Sequence, residues 1–374
     1  MSVSSVLVLG GGVTGSVLSL ALAQRGVQVD LAEISPVWHG VGHGITIQGN
    51  ALLALQKVGV AGQVIAAGFP FSHMRLLHAD GSVLADLPTP QTGGSDLPPT
   101  IGSLRASMQE VLCKAVYGAG VCVRLGLTIE HLSLAPEHVD VVFSDGTKGR
   151  YDLVVGAYGI HSHLRGLLGI AVRPRSAGMT IWRIVAPRPE QLQCAEVYYG
   201  GPRYKAGYSP ISAGQCYAYL LDEDMDPGAF DGRPLGAVLR ERSAGYGGRW
   251  GQIREGIADD AAVDFRRIEH LLVDDPWHRG RAIIIGDAAH TCPPLIAQGA
   301  AMCAEDAVVL AELVTADEAV PDALAEFMRR RYPRVRMVVR NSLQLADWET
   351  HPGTPGADPG RVMSETLTAL LAPA

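Results

Sequence analysis

The start of the chain alternates between short apolar runs and a helical pattern of apolar positions. Residues 6–9 are all apolar, and a glycine-rich turn follows them directly. Apolar residues then recur at helical spacing between positions 17 and 22, and residues 27–33 (VQVDLAE) follow as a second predicted strand. Two strands joined by one helix through short connections lie parallel and adjacent. The pattern therefore predicts a βαβ unit at the start of the chain.

Strand-forming residues dominate two later parts of the sequence. Residues 74–79 and 82–87 flank an Asp-Gly dipeptide, which is typical of a hairpin turn. Residues 178–221 are rich in aromatic and β-branched residues interrupted by turn residues, a composition that indicates a mostly antiparallel sheet. The remaining predicted elements are a helix over 103–117, strands near 121–125 and 139–143, buried strands over 152–157 and 281–285, long helices over 299–314 and 322–348, and one short terminal helix.

These elements predict an α/β fold with a discontinuous first domain. We expect a parallel-sheet domain, an inserted substrate domain that is mostly antiparallel β, and C-terminal helices. The parallel-sheet domain is assigned residues 1–70, 98–175 and 276–330. The inserted domain is assigned 71–97 and 176–275, and the C-terminal helical segment is assigned 331–374.

Composition and charge exclude several classes of protein. The 374 residues are 47% hydrophobic and 18% charged, which excludes a disordered or coiled-coil chain. The formal charge of −7 argues against nucleic acid or an anionic membrane as a partner. An arginine-rich run between 329 and 340 is therefore expected to be solvated or to pack on acidic residues. Neither a signal peptide nor a metal-ligand spacing is visible, so we expect a soluble, cytoplasmic protein without a metal.

The first glycine motif carries the clearest chemical signal. Gly10, Gly12 and Gly15 follow a strand and open a helix, and Glu33 ends the next strand. In this arrangement the glycines let a pyrophosphate approach the helix N-terminus, and the acid accepts hydrogen bonds from a ribose. A purely structural glycine turn is the alternative. The context favours dinucleotide binding.

A second motif follows the predicted strand 281–285. Asp287 stands at the carboxyl end of that strand, where open α/β sheets bind ligands. A proline-rich loop and the N-terminus of a long helix come next, and a helix N-terminus stabilises negative charge on a bound ring. The full stretch 281–307 reads RAIIIGDAAHTCPPLIAQGAAMCAEDA.

Together these motifs resemble those of the class A FAD-dependent monooxygenases, the flavoprotein hydroxylases of the para-hydroxybenzoate hydroxylase fold. The resemblance implies a Rossmann-like FAD-binding domain, NADH or NADPH as electron donor, O₂ as co-substrate and a flavin C4a-hydroperoxide as oxidant. A third segment, 152–165, is similar to a family motif but has Tyr158 in place of an aspartate. The residues that the resemblance assigns to FAD are Gly10, Gly12, Val13, Thr14, Gly15, Glu33, Arg105, Gly159, Arg165, Gly286, Asp287, Gln298, Gly299 and Ala300.

The resemblance also suggests candidates for catalysis and substrate binding. His43 replaces an alanine in a turn that lies beside the flavin in the family, and His39 is near the position of a flavin contact. Tyr217 matches a tyrosine that lines the substrate, and Lys205 is expected to stabilise an anionic substrate. Tyr217 and Tyr219 share one strand face. Pro294 and Leu295 are expected to form a wall of the substrate site, and Leu295 stands where the urate-hydroxylating members have an acid, which argues against urate.

The resulting hypothesis is an FAD-dependent, NAD(P)H-consuming monooxygenase that hydroxylates a small aromatic or heteroaromatic molecule as a monomer or homodimer. Three alternatives stay open. The first is a same-fold enzyme of another reaction, such as a halogenase or an isoprenoid reductase, although the halogenase signature W-x-W-x-I-P is absent. The second is an epoxidase or oxidase of the same fold that acts on a non-aromatic natural product. The third is a non-catalytic dinucleotide-binding protein, which the replacement at Tyr158 favours.

Overall fold

The structure is a computed structural model that describes residues 3–38, 40, 42–274 and 276–374. Its strands, numbered in chain order, are β1 (Ser5–Leu9), β2 (Gln28–Glu33), β3 (Gly44–Gln48), β4 (Gly68–Phe71), β5 (His73–His78), β6 (Val83–Pro88), β7 (Thr100–Leu104), β8 (Cys122–Leu125), β9 (Ile129–Leu134), β10 (Val139–Phe143), β11 (Lys148–Tyr151), β12 (Leu153–Gly156), β13 (Arg175–Pro187), β14 (Ala195–Tyr199), β15 (Lys205–Pro210), β16 (Gln215–Glu223), β17 (Asp264–Leu272), β18 (His278–Arg279), β19 (Ala282–Ile284) and β20 (His290–Thr291).

The α-helices are numbered in the same way. They are α1 (Val13–Ala23), α2 (Gly49–Lys57), α3 (Ala61–Ala66), α4 (Arg105–Gly118), α5 (His163–Leu167), α6 (Leu235–Arg242), α7 (Gly248–Glu255), α8 (Gly299–Val314), α9 (Val320–Thr350) and α10 (Pro359–Ala369). Short 3₁₀ turns cover Pro227–Phe230, Gly286–Ala288 and Pro294–Ile296.

The first sheet is parallel apart from one edge pair, and its central strands β1, β12 and β19 are apolar and buried on both faces. Its order is β18-β19-β12-β1-β2-β8, and the antiparallel pair is β18 with β19 at one edge. Every residue of β12 and β19 is buried. The chain leaves β1 toward β2 on one side and later returns as β12 on the other side. This reversal of strand order places a crevice at the carboxyl ends of β1 and β12, where open α/β sheets bind ligands.

The second large sheet is mostly antiparallel and has two different faces. Its order is β20-β17-β13-β16-β15-β14-β5-β6, and β14 pairs with β5 in parallel. Trp182, Tyr208 and Leu220 belong to one hydrophobic cluster together with residues of α6 and α7. Alternation along the strands places their neighbours on the opposite face, which we call the inner face. The inner face carries Ile181, Lys205, Gly207, Tyr217, Tyr219 and Leu221.

A small antiparallel sheet, β3-β7-β4, joins the crevice to the inner face. An added Cβ at Gly44 in β3 would lie 2.2 Å from Cβ of Tyr217, and one at Gly102 in β7 would lie 2.0 Å from the carbonyl oxygen of Pro210. Glycine at both positions therefore lets the two sheets approach closely. The third antiparallel sheet, β9-β10-β11, lies next to β12 in the chain.

The C-terminal helices are fixed to the parallel-sheet part by a buried ionic cluster. Arg331 in α9 is fully buried, with Nη1 2.7 Å from Glu305 Oε2 and Nε 2.7 Å from Asp306 Oδ1. In contrast, Arg329 and Arg330 pair with Glu326 at the surface of the same helix. The arginine-rich run thus combines the two expected situations, one solvated and one packed on acidic residues.

The predicted fold class is confirmed, and the structure adds detail at element boundaries. The helix predicted from residue 103 begins at Arg105, because Ser103 and Leu104 complete β7. The small β3-β7-β4 sheet was not predicted. Helix α9 runs through residue 331 without a break, although the domain division predicted from the sequence has a boundary there. None of the helices in the described part of the chain has the length and hydropathy needed to cross a membrane.

Candidate active site

The first glycine motif forms the turn from β1 to α1. Gly10 has a φ of 107°, in the region that favours glycine, and an added Cβ would lie 2.5 Å from the carbonyl oxygen of Ala157. At Gly15 an added Cβ would lie 1.8 Å from the carbonyl oxygen of Gly10. Both glycines are therefore required by the close approach of β1, α1 and the end of β12.

Gly12 differs from its two neighbours in the motif because its surroundings are open. An added Cβ at Gly12 would meet no described atom within 4 Å. Helix α1 begins at the next residue, Val13, and has no side-chain cap. The N–H groups at this helix end, including that of Thr14, therefore face the crevice with a positive partial charge. The open space and the donors suit a pyrophosphate group.

The acid at the end of β2 reaches the same turn. Glu33 Oε2 accepts a hydrogen bond from the backbone N–H of Gly11 at 2.7 Å, and its Oε1 accepts one from Ser35 at 2.8 Å. The structure thus brings Glu33 to the glycine turn, as the strand order requires. Its predicted contact with a ribose stays a prediction.

The second motif is fastened to the first by close packing. Gly286 lies so near Thr14 that an added Cβ would be 2.5 Å from the Thr14 hydroxyl. Asp306 Oδ2 accepts a hydrogen bond from Gly286 N at 3.0 Å and lies 2.6 Å from Nε2 of His290. Asp287 follows Gly286 at the crevice. Burial raises the pKa of Asp287, and the nearby His290 and Arg105 act in the opposite direction.

The N-terminus of α8 contributes a buried polar group with an unused donor. Gln298 is fully buried, and its Oε1 accepts a hydrogen bond from Asn50 Nδ2 at 3.0 Å. Its Nε2 has no hydrogen-bond partner among the described residues. Gly299 and Ala300 begin the helix without a side-chain cap. A buried donor of this kind is costly unless a ligand accepts from it.

The third segment is held by contacts within the protein. Arg165 is buried, and its guanidinium donates to the carbonyl oxygens of Val172 and Ala288, both at 3.0 Å. These contacts secure the loop that carries the second motif, and the predicted contact of Arg165 with FAD stays a prediction. The hydroxyl of Tyr158 lies 2.7 Å from that of Thr128. Gly159 is open, with no described atom within 4 Å of an added Cβ.

Arg105, His43 and Tyr217 meet where the crevice adjoins the inner face. The N–H of Arg105 donates to the carbonyl oxygen of His43 at 3.0 Å, and Gly44 packs against the Tyr217 side chain. His43 Nε2 lies 2.9 Å from the carbonyl oxygen of Ala262. Its Nδ1 is buried without a hydrogen-bond partner in the described part of the chain. His39 lies outside the described residues.

Two charged residues that sequence analysis missed adjoin this group. Asp264 Oδ2 lies 3.3 Å from Nη1 of Arg183 and 4.0 Å from Nδ1 of His43. Burial raises the pKa of Tyr217, while the positive charges of Arg183 and Arg105 oppose the rise. Tyr217 is therefore a neutral phenol near neutral pH. Alternation in β13 could have placed Arg183 on the inner face, but no local signal links Asp264 to His43.

Lys205, which is predicted to stabilise an anionic substrate, is paired within the protein. Its Nζ lies 2.5 Å from Glu349 Oε1 at the end of α9. Along the paired strands β15 and β16, Tyr219 stands opposite Gly207, and Lys205 stands opposite Leu221, two residues further along each strand. The charge of Lys205 is thus already neutralised by a residue 144 positions away.

The wall predicted from the proline-rich loop is partly formed. Leu295 is half-buried and packs on the cluster that contains Ile181, Leu221 and Ala346, together with Tyr219. Pro294 is exposed. The rings of Tyr217 and Tyr219 lie 5.8 Å apart, in agreement with their shared face. Leu295 therefore connects the second motif to the inner face.

Sequence comparison identifies the family. The sequence profile described as "FAD binding domain" matches residues 3–201 and 265–342. The chain belongs to the class A FAD-dependent monooxygenases. The flavoenzyme is 31% identical over 351 residues to aurachin C monooxygenase/isomerase of Stigmatella aurantiaca, covering 92% of this chain and 90% of the relative. It is also 31% identical over 355 residues to a 2-heptyl-3-hydroxy-4(1H)-quinolone synthase of Pseudomonas aeruginosa, again covering 92% and 90%.

A solved structure shows the same fold. HpxO of Klebsiella pneumoniae, complexed with FAD and uric acid, matches the flavoenzyme with a TM-score of 0.87 at 23% identity, covering 98% of this chain and 96% of that one. The described residues also suit FAD: Gly12 leaves space at a helix N-terminus, and Gln298 has an unused buried donor. The names of the relatives favour an enzyme over the non-catalytic binding protein left open by the sequence.

Proposed function

We propose that this flavoenzyme uses NADH or NADPH and O₂ to hydroxylate a neutral, electron-rich heteroaromatic ring of the quinolone type. The observation that carries the proposal is the neutral phenol of Tyr217 on the inner face, packed against the turn that joins the crevice. The two relatives at 31% identity are named for chemistry on an aurachin and on a heptyl-quinolone. A non-aromatic substrate is less well supported, because an aromatic pair lines this face.

FAD, when bound, would accept a hydride from the nicotinamide and activate O₂ for transfer of one oxygen atom. The overall reaction balances as substrate, O₂, NAD(P)H and a proton giving hydroxylated substrate, water and NAD(P)⁺. Gly12, Val13 and Thr14 would hold the pyrophosphate, and Glu33 the ribose. Gln298, Gly299 and Ala300 would contact the ring at the N-terminus of α8. Asp287, Arg105 and Gly159 complete the proposed set.

The side chains on the inner face orient the substrate and exclude water. Tyr217 would donate its hydroxyl proton to a carbonyl or phenolic oxygen of the ring, which fixes the reacting carbon. Leu295 and Tyr219 would cover the ring on its far side and keep water away from the reacting atoms. His43 would hold the turn against Ala262 and Asp264, so that its role is to position the turn. The division into an FAD domain and a substrate domain at the predicted boundaries is part of the same proposal.

The test is incorporation of oxygen from labelled O₂. The purified protein is incubated under labelled O₂ with a reduced nicotinamide and a neutral hydroxyquinoline, and the mass of the product is measured by mass spectrometry. The proposal expects one labelled oxygen atom in the product. Oxidation of the nicotinamide with release of hydrogen peroxide alone, for every aromatic compound tested, would reject it.

A further inference from the structure

The inner face ends in a buried ion pair that the proposed reaction does not use. Lys205 in β15 is 7% exposed, and the Glu349 side chain in the last turn of α9 is 15% exposed. Lys205 stands opposite Leu221, and Leu221 is four residues beyond Tyr217 in β16. The ion pair is therefore about 13 Å from Tyr217 along the strand direction. A substrate whose ring lies at Tyr217 would reach this pair only with its far end.

The surroundings of the pair stabilise its ionised form. The Lys205 ammonium lies 5.5 Å from the centre of the Tyr199 ring, at cation–π distance. Burial alone would lower the pKa of Lys205, but Tyr199 and Glu349 outweigh burial and the net direction is upward. Lysine and glutamate therefore cancel each other's charge at the far end of the inner face.

The side chains between this pair and the ring position are mostly apolar, apart from Arg183, which stands opposite Tyr219 and is paired with Asp264. Leu295 and Tyr219 pack on Ile181, Leu221 and Ala346, all in one cluster. A carboxylate placed here would lose its hydration and would find the charges of Lys205 and Arg183 already paired with Glu349 and Asp264. An apolar substituent would instead gain by leaving water.

We propose that Glu349 determines substrate specificity by neutralising Lys205, so that the enzyme selects uncharged rings with an apolar substituent and rejects ring carboxylates. This inference rests on the proposed function and narrows its substrate class. Removing the carboxylate of Glu349 frees the Lys205 ammonium. The freed ammonium then recruits a ring carboxylate through a charge-assisted hydrogen bond.

The test compares two probes, 4-hydroxyquinoline and 4-hydroxyquinoline-2-carboxylate, by titrating the visible spectrum of the bound flavin to obtain Kd. Glu349→Gln is expected to tighten carboxylate binding by about tenfold or more, the size of one charge-assisted hydrogen bond. The Kd of the neutral probe should change by less than about threefold, within the variation expected of a substitution that leaves its contacts intact. Glu365→Gln in α10, an exposed glutamate paired with Arg361, is the matched control and should change neither Kd.

A double variant guards against loss of folding in the single variant. Lys205→Met with Glu349→Leu removes both charges and should keep the wild-type preference for the neutral probe. An unchanged ratio of the two Kd values in Glu349→Gln, or tightened carboxylate binding in the double variant, would overturn the inference. If the wild-type flavin spectrum responds to no aromatic probe, the proposed function fails first and the inference falls with it.

Discussion

The cofactor crevice and the inner face are built by different means. The core of the crevice is made of backbone groups from short contiguous motifs, such as Gly10 to Gly15. The inner face is made of side chains that meet across long stretches of chain: His43 with Ala262, and Lys205 with Glu349. The first can be recognised in a sequence, whereas the second exists only after folding. Under the proposed function, the residues for cofactor binding come mainly from local motifs, and those for substrate choice come from tertiary contacts.

The largest expected effect is on the ionic cluster that joins α9 to the crevice. Replacing Arg331 by Met leaves Glu305 and Asp306 without their shared buried partner. The expected loss is about 3–5 kcal/mol of unfolding free energy, measured by urea unfolding of the FAD-bound enzyme. Arg329→Met, on the exposed side of the same helix, is the control and should leave the unfolding curve nearly unchanged. Equal losses in the two variants would mean that the cluster does not join the regions.

The same cluster predicts how stability depends on pH. Burial disfavours the ionised forms of Asp306 and Glu305. His290 and Arg331 outweigh burial at Asp306, and Arg331 and Arg334 outweigh it at Glu305, so the pKa values of both carboxyls are lowered. Carboxyls with lowered pKa values stabilise the fold above their ordinary values of 3.8 and 4.5, and this stabilisation is lost as the pH falls below them. We expect the melting temperature to fall steeply below about pH 4.5 and less steeply in Arg331→Met. Parallel curves for the two proteins would contradict this.

Substitutions of the crevice glycines test whether the local glycine motif determines the turn and the binding of FAD. Gly10→Ala combines a strained φ with a clash against the carbonyl oxygen of Ala157. We expect it to lower the free energy of unfolding by about 2–4 kcal/mol and to abolish flavin binding. Gly12→Ala meets open space and should fold normally while binding FAD more weakly. Flavin absorbance per protein and the melting temperature distinguish the two. A Gly12→Ala protein that binds FAD like the wild type would place the pyrophosphate elsewhere.

On the inner face, Tyr217→Phe removes one hydroxyl and preserves the ring. We expect FAD to stay bound and the Kd of a neutral hydroxyquinoline to rise by about tenfold, the value of one hydrogen bond near 1.4 kcal/mol. Tyr219→Phe, two residues along the same face, is the matched variant and should have a smaller effect. Unchanged binding and unchanged coupled hydroxylation in Tyr217→Phe would remove Tyr217 from the proposed mechanism.

The smallest effect is expected where the two regions touch. Leu295→Asp introduces a carboxylate into the apolar cluster and should weaken binding of neutral rings by a few-fold, to about tenfold. FAD should stay bound, because Leu295 packs on the inner face and not on the glycine turn. Titration of the flavin spectrum with neutral and anionic rings measures the shift. Loss of flavin would show that the loop belongs to the crevice.

Sequence patterns predicted the parallel sheet, the hairpin at β5 and β6, and helix α8 with its bounds, since hydrophobic periodicity and turn residues are local. They also predicted which glycines and acids meet in the crevice. They did not predict Asn50 beside Gln298, Asp264 beside His43, or Glu349 beside Lys205. Those contacts depend on how α2, β17 and α9 pack, and no local sequence pattern predicts that packing.

The central claim is tested most directly by anaerobic stopped-flow reduction of the bound flavin. The purified, yellow enzyme is mixed with NADH or NADPH, with and without a neutral hydroxyquinoline and its carboxylate analogue. The account predicts flavin bound at one per chain and reduction accelerated by the neutral ring by about tenfold or more, with little acceleration by the carboxylate. A colourless protein that takes up no FAD, or a reduction rate that no aromatic ring alters, would contradict it.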